Sequence, residues 1–205
     1  VAAPSDANDV RSIDAARFFP GPMPPSSPDP GRAQALPHVW KATDPQLTGD
    51  AWYVMRIHLP AAPVGLQAVY LQGITVPAEL WLNGVRIGAT GPLDGRRPRS
   101  HEQSQLFTLS EGELRAGDNE LLLHVRAATP SLAALAPLRV GAAAALRREA
   151  TRDLVVHTLG PAAVAVVNVT VGLSLLALWL RRRDPSYVAL FGVATILWGL
   201  HTGVS

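Results

Sequence analysis

Two long uncharged runs close the chain. Leu154 to Leu180 is 27 residues without a formal charge, and Pro185 to Ser205 is another 21. Between them stand Arg181, Arg182, Arg183 and Asp184. A helix needs about 20 apolar residues to cross roughly 30 Å of hydrocarbon. Each run is long enough, and the rest of the chain is too small to cover both as core helices of a soluble protein. The expectation is a membrane helix at 160–180, a tight turn at 181–186, and a second membrane helix at 187–205 that reads as cut short.

The charge balance gives that turn a side. Residues 1–153 hold 15 basic and 15 acidic side chains, so the net charge of +2 comes entirely from Arg181, Arg182 and Arg183 against Asp184. Cytoplasmic loops carry the arginine and lysine excess. The turn is therefore expected in the cytoplasm of a bacterium, with residues 1–153 in the periplasm and the helices in the inner membrane. Arg147, Arg148, Glu149, Arg152 and Asp153 on the other flank are of mixed sign and compete weakly. A balanced N-terminal part offers no basic face to nucleic acid. Cysteine is absent, which excludes disulfides and thiolate metal sites. The start VAAPSDANDV lacks the basic end and apolar centre of a secretion signal, so an exported part would have had its signal removed.

Residues 1–35 carry seven prolines and read as an extended leader, in which Asp14–Phe19 forms a short docking helix. From Leu36 the pattern changes to short strands. In WYVMRIHL, Tyr53, Met55, Ile57 and Leu59 share one face and Arg56 and His58 the other, the period of a half-buried strand. Further strands are expected at 68–71, 79–82, 85–88, 106–109, 120–126 and 138–141. Asn83-Gly84 is a strong hairpin signal because both turn positions favour positive φ. Many short strands without intervening amphipathic helices predict an all-β antiparallel sandwich over 36–141. Helix formers then predominate from Ala142 to Leu159, a connecting helix that reaches Gly160-Pro161.

These residues carry two resemblances. LPHVWKATDPQLTGDAWYVMRIHLP, AELWLNGVRIGATG and LRAGDNELLLHVRA, in that order across about residues 36–127, resemble the galactose-binding-like jelly roll known as the sugar-binding domain of β-galactosidase-type glycoside hydrolases. Its motif positions fall here on Trp52, Tyr53, Trp81, Asn83, Gly84, Gly88, Gly117 and Asn119. As single residues these read first as fold builders: packing aromatics and turn formers. The whole arrangement, with AALRREATRDLVVHTLGP, the RRRDPSY turn and a second helix ending LWGLHTG, is similar to bacterial seven-transmembrane receptors with diverse intracellular signalling modules. That resemblance implies a periplasmic sensor domain feeding a histidine kinase or a diguanylate cyclase, with helix-mediated homodimers in the kinase case. A membrane-anchored carbohydrate-binding module is the alternative from another class.

Candidate ligand contacts lie in the long polar loop Gly91–Ser104, which holds Arg96, Arg97, Arg99, His101 and Glu102. Arginine forks suit carboxylates, phosphates and glycan hydroxyls, and a solvated loop is the competing reading. Arg56, His58, His124 and Arg126 would form a polar patch if their strands are neighbours, to hold a carbohydrate or small organic ligand, and a simply solvated face is the competing and stronger reading. The histidines are too scattered for a metal site, and no cofactor is expected. No residue set supplies catalytic machinery, and a glycosidase would need two catalytic carboxylates on another domain.

Overall fold

The computed structural model describes residues 10–22, 24, 31–93, 104–156, 160–182 and 186–204. The chain divides into two units, Val1–Ala150 and Thr151–Ser205. In the first, the strands are β1 (Arg11–Ile13), β2 (Ala15–Pro20), β3 (Arg32–Ala35), β4 (His38–Val39), β5 (Gly49–Leu59) and β6 (Gln67–Leu71). They continue as β7 (Ala78–Leu82), β8 (Val85–Ala89), β9 (Gln105–Leu109), β10 (Gly117–Ala127), β11 (Ala134–Leu135) and β12 (Leu138–Ala142). A short helix, α1 (Trp40–Thr43), follows β4.

A six-stranded sheet in the order β3-β2-β5-β10-β7-β8 packs on a four-stranded sheet in the order β1-β12-β6-β9. Every pairing is antiparallel. The core lies between them: Phe18, Tyr53, Met55, Leu80, Leu121 and Leu123 meet Val69, Leu71, Leu109 and Leu138. Alternation makes this inevitable, since residues two apart on a strand share a face. The expected sandwich is present, and each expected strand forms with slightly wider bounds.

The N-terminal expectation is corrected. Residues assigned to the leader supply β1, β2 and β3, which add strands to both sheets. Asp14–Phe19 contributes to strand β2, not to a helix. Ala16 and Phe18 are buried while Ala15 and Arg17 are exposed, a period-two pattern that a helix would scatter around its circumference. Pairing of Phe18 with Tyr53 and Phe19 with Trp52 then overrides the helical propensity of Ala15-Ala16-Arg17.

α2 (Ala143–Leu154) follows β12 directly. Ala143 and Leu146 seat on Ala68 and Tyr70, the side chains of β6 that face away from the core, with Val10 and Leu106 beside them.

The second unit contains α3 (Gly160–Arg182) and α4 (Ser186–Val204). They run antiparallel at very close range. A Cβ on Gly172 would stand 2.7 Å from the Gly192 carbonyl oxygen, and one on Gly199 would stand 3.0 Å from that of Ala165. Ala162–Arg181, with mean hydropathy 2.2, is long and apolar enough to cross a membrane; the apolar stretch of α4, Tyr187–Gly199, is shorter. Among the described residues one helix therefore meets the length that the sequence runs led one to expect. Arg181 and Arg182 stand in the last turn of α3 instead of in the connecting turn, and Arg183 lies outside the described residues.

Candidate functional site

The face of the six-stranded sheet that turns away from the core carries an unusual set of side chains. Register decides its composition. Trp52 lies opposite His124, Val54 opposite Leu122, and Asp50 opposite Arg126 across β5 and β10. On the far side of β10, His124 faces Glu79 and Leu122 faces Trp81. On the near side of β5, Trp52 faces Phe19. Directly opposed residues in an antiparallel pair have Cβ atoms about 5 Å apart, so Phe19, Trp52 and His124 make one continuous ring-bearing row.

Within that row Trp52 and His124 stack, with ring centroids 4.1 Å apart and planes 5° from parallel. The His124 Nε2–H donates to Asp50 Oδ1 at 3.0 Å, which fixes the imidazole in the plane that stacking requires. Arg126 lies 3.9 Å from the same Asp50 oxygen, and Arg86 binds Glu79 at 3.0 Å. Trp52 is buried, and the indole N–H groups of Trp52 and Trp81 are buried without an acceptor among the described residues. Such orphan donors are rare and costly. Trp52 spends its face on His124, so the half-buried rings of Phe19, Trp81 and His124 are what this surface offers a sugar ring or flat organic ligand, beside carboxylates and guanidinium groups that hydrogen-bond its hydroxyls or carboxylates.

The long loop joins this face at its start. Arg126 Nη1 donates to the Leu93 carbonyl oxygen at 3.2 Å, so the stem Gly91–Leu93 is tied down beside Asp50 and His124. Arg96, Arg97, Arg99, His101 and Glu102 lie outside the described residues. Arg56 and His58 are on the same outward face but far along it. The antiparallel register sends His58 to Asp118 and Arg56 to Glu120. Eight residues of strand separate His58 from Asp50, a span of about 27 Å. His58 Nδ1 is 2.7 Å from Asp118, and Arg56 is 3.8 Å from Glu120. β5 and β10 are thus neighbours, but Arg56 and His58 occupy the opposite end from His124 and Arg126.

The motif residues do more than turn the chain. Asn83 and Gly84 have φ of 50° and 82°, as a two-residue hairpin turn requires. In addition, Asn83 Oδ1 accepts from the Glu120 N–H at 3.0 Å, and Asn83 Nδ2 donates to the Glu113 carbonyl and to Asn119 Oδ1. Asn119 is fully buried; its Nδ2 donates to the carbonyls of Arg115 and Gly117, and its Oδ1 accepts from the Arg115 N–H. Two asparagines 36 residues apart therefore lock the hairpin to the turn before β10. A Cβ on Gly88 would stand 2.7 Å from the Phe107 ring, so glycine admits that ring where β8 meets β9.

A second polar cluster escaped the sequence reading. His38 is fully buried. Trp40 Nε1–H donates to the Tyr53 hydroxyl at 2.8 Å, leaving the Tyr53 O–H to donate to His38 Nδ1 at 2.7 Å. His38 must then carry its proton on Nε2, which faces Thr43 Oγ1 at 2.7 Å and Asp44 at 3.1 Å. Arg32 grips both Asp44 oxygens, at 2.9 and 2.6 Å, and lies over the Phe18 ring at 5.0 Å. The Arg32 guanidinium chiefly holds the Asp44 carboxyl down at about 2. Burial pushes the His38 imidazole below its ordinary value and the Tyr53 phenol above its own. Every member has a partner, so this cluster is structural cement between β2–β5 and the segment after β4. Among the described residues no group of three histidine, aspartate or glutamate side chains is placed to hold a metal ion.

No protein-family model and no curated protein sequence matches the chain. Solved structures do. The β-glucuronidase of Ruminococcus gnavus in complex with D-glucaro 1,5-lactone is 13% identical, with 69% of this chain and 30% of that one covered and a TM-score of 0.52. The same enzyme in another crystal structure is 12% identical, with the same coverage and a TM-score of 0.51. A glycosyl hydrolase family 2 member from Bacteroides cellulosilyticus DSM 14838 is 19% identical over 64% of this chain and 20% of that one, with a TM-score of 0.49. What is shared is the fold. The chain spans less than a third of the length of these glycosidase chains.

Proposed function

We propose that the chain is the ligand-sensing and membrane-proximal part of a bacterial signal-transduction receptor. In this reading the β domain stands in the periplasm and binds a carbohydrate or small organic ligand on the outward face of the six-stranded sheet. α3 anchors it in the inner membrane, Arg181–Arg183 remain in the cytoplasm, and the output is a histidine kinase paired through its helices, or a diguanylate cyclase. The stacked Trp52–His124 pair, bordered by Asp50, Glu79 and Arg126 beside the loop stem, carries the ligand part. The fold likeness to the glucuronidase supports a carbohydrate. The apolar length of α3 and the arginines at its end support the membrane part.

A membrane-anchored carbohydrate-binding module is the second reading. A single span, Ala162–Arg181, is enough to anchor such a module. Both readings share the ligand site and part company at the output.

Two measurements test the proposal. The full chain in lipid nanodiscs is titrated with neutral sugars, uronic acids and organic acids while thermal unfolding is followed. Stabilisation by one of them that is lost in Trp52→Ala supports the site; no stabilisation by any sinks the ligand claim. Because the chain has no cysteine, Glu111→Cys and Ser186→Cys report topology with an impermeant thiol reagent. Labelling of the first from the periplasm, and of the second only after permeabilisation, supports the orientation; the reverse pattern overturns it.

A further inference from the structure

The fold sorts the charges of α2 in a way their order along the chain conceals. Glu149 and Asp153 lie half-buried, and Glu149 is taken up by Arg139 of β12. Ala144, Arg147, Arg148, Thr151 and Arg152 are exposed, on the face opposite the one seated on Tyr70. Arg148 and Arg152 are one turn apart and share that outward face. Directly after them Leu154, Val155 and Val156 are 49%, 48% and 54% exposed. At the other end of the helix, the Ala143 N–H donates to the Leu66 carbonyl at 2.9 Å. Leu66 closes the β5–β6 loop, in which Val64 is 93% exposed and no charge occurs between His58 and Leu71.

We propose that α2 is a lipid-docking element whose outward face rests on anionic phospholipid headgroups. The inference rests on the reading of α3 as a membrane span. Only residues 157–159 separate Val156 from the first residue of α3, so the chain can place Val156, just past the end of α2, no more than about 14 Å from the start of α3. A helix end tethered that close to the interface, with two outward arginines and a run of exposed apolar side chains, matches what an interfacial helix presents: cations toward phosphate and apolar groups toward the acyl boundary. Each arginine held near an anionic surface strengthens such binding several-fold. Anionic lipid, not a protein, is the occupant, because this surface pairs cations with bare aliphatic groups at the site where the chain itself delivers the membrane.

The test uses the full chain in vesicles of phosphatidylcholine alone, or with about one third phosphatidylglycerol, the anionic fraction that supplies the surface potential. Ala144→Cys and Val171→Cys carry an environment-sensitive fluorophore. Nitroxide lipids labelled on the headgroup or on the chain serve as quenchers. The expected result is headgroup quenching of the Ala144 probe that is strong only with phosphatidylglycerol. It should fall roughly thirtyfold in docked-to-free ratio in R148Q/R152Q and vanish in molar salt, where screening acts within about 3 Å. The same quenching with and without anionic lipid, or in R148Q/R152Q, overturns the docking. The Val171 probe separates the two claims. Quenching there by chain-labelled lipid upholds the span whatever Ala144 does, and its absence overturns the span and the docking together.

Discussion

Trp52 and His124 face each other across two neighbouring strands with their rings stacked 4.1 Å apart, and Asp50 holds the imidazole in that plane. This contact joins the most aromatic part of the outward sheet face to its charged border. His124→Ala removes the stacking and leaves the largely buried Asp50 carboxylate without its imidazole donor. The expected loss is about 2 kcal/mol of unfolding free energy, measured by denaturant titration, with weaker binding of any ligand that stabilises the native chain.

Asn119 serves four hydrogen bonds from a fully buried position. Asn119→Asp keeps its size but replaces the amide donor by an acceptor aimed at two carbonyl oxygens. It should cost about 3 kcal/mol, more than Asn83→Asp in the half-buried part of the same link. Equilibrium unfolding of both variants checks the order; equal losses would contradict the buried lock.

The His38–Asp44 pair makes the β domain acid-labile in two steps. His38 is held neutral by burial, with its native value below 6.5, so the unfolded chain binds the extra proton first. Stability therefore falls as pH drops below 6.5 toward the lowered native value. Asp44 is depressed from 3.8 to about 2, so its contribution is present above pH 3.8 and fades between there and about 2. His38→Gln should flatten the upper limb and leave the lower one, seen as melting temperature against pH. An unchanged upper limb would show that another group is responsible.

The α3–α4 hairpin depends on glycine at its crossing. A Cβ on Gly172 would stand 2.5 Å from Ile196 Cγ1 and 2.7 Å from the Gly192 carbonyl oxygen. Gly172→Val should force the helices apart, at a cost of roughly 1–3 kcal/mol for an overpacked contact. Equilibrium unfolding of the full chain in mixed micelles, followed by the fluorescence of Trp198, should reach its midpoint at lower denaturant in Gly172→Val than in the parent. An unaltered midpoint would mean that the crossing tolerates a side chain.

Much of the fold was legible because it is local. Alternation in WYVMRIHL and ELLLHVR marks β5 and β10, and Asn83-Gly84 marks the hairpin, since strand period and turn conformation are set by adjacent residues. DAARFF was not legible. Its alanines and arginine favour helix locally, and only the offer of an open strand edge on β5 makes it a strand. The His38 cluster was hidden for a related reason: His38, Tyr53, Asp44 and Arg32 are unremarkable in sequence and become a network only when β3, β4, β5 and the end of α1 meet. The loop arginines stand outside the described residues, and the site took its form from Trp52, His124 and Asp50, of which the sequence had offered only His124 as a polar-face candidate.

By itself, the sequence determined the two-part plan: an alternating, charge-balanced region of short strands, then uncharged helices flanking a knot of arginines. These follow from composition and period, which need no partner to be expressed. Tertiary structure decided which tryptophans look outward, that His58 and His124 lie at opposite ends of one strand pair, and that α2 turns its arginines out and its carboxylates in. Each of those depends on strand register or on the face a helix seats, and both are fixed by contacts between residues far apart in the chain.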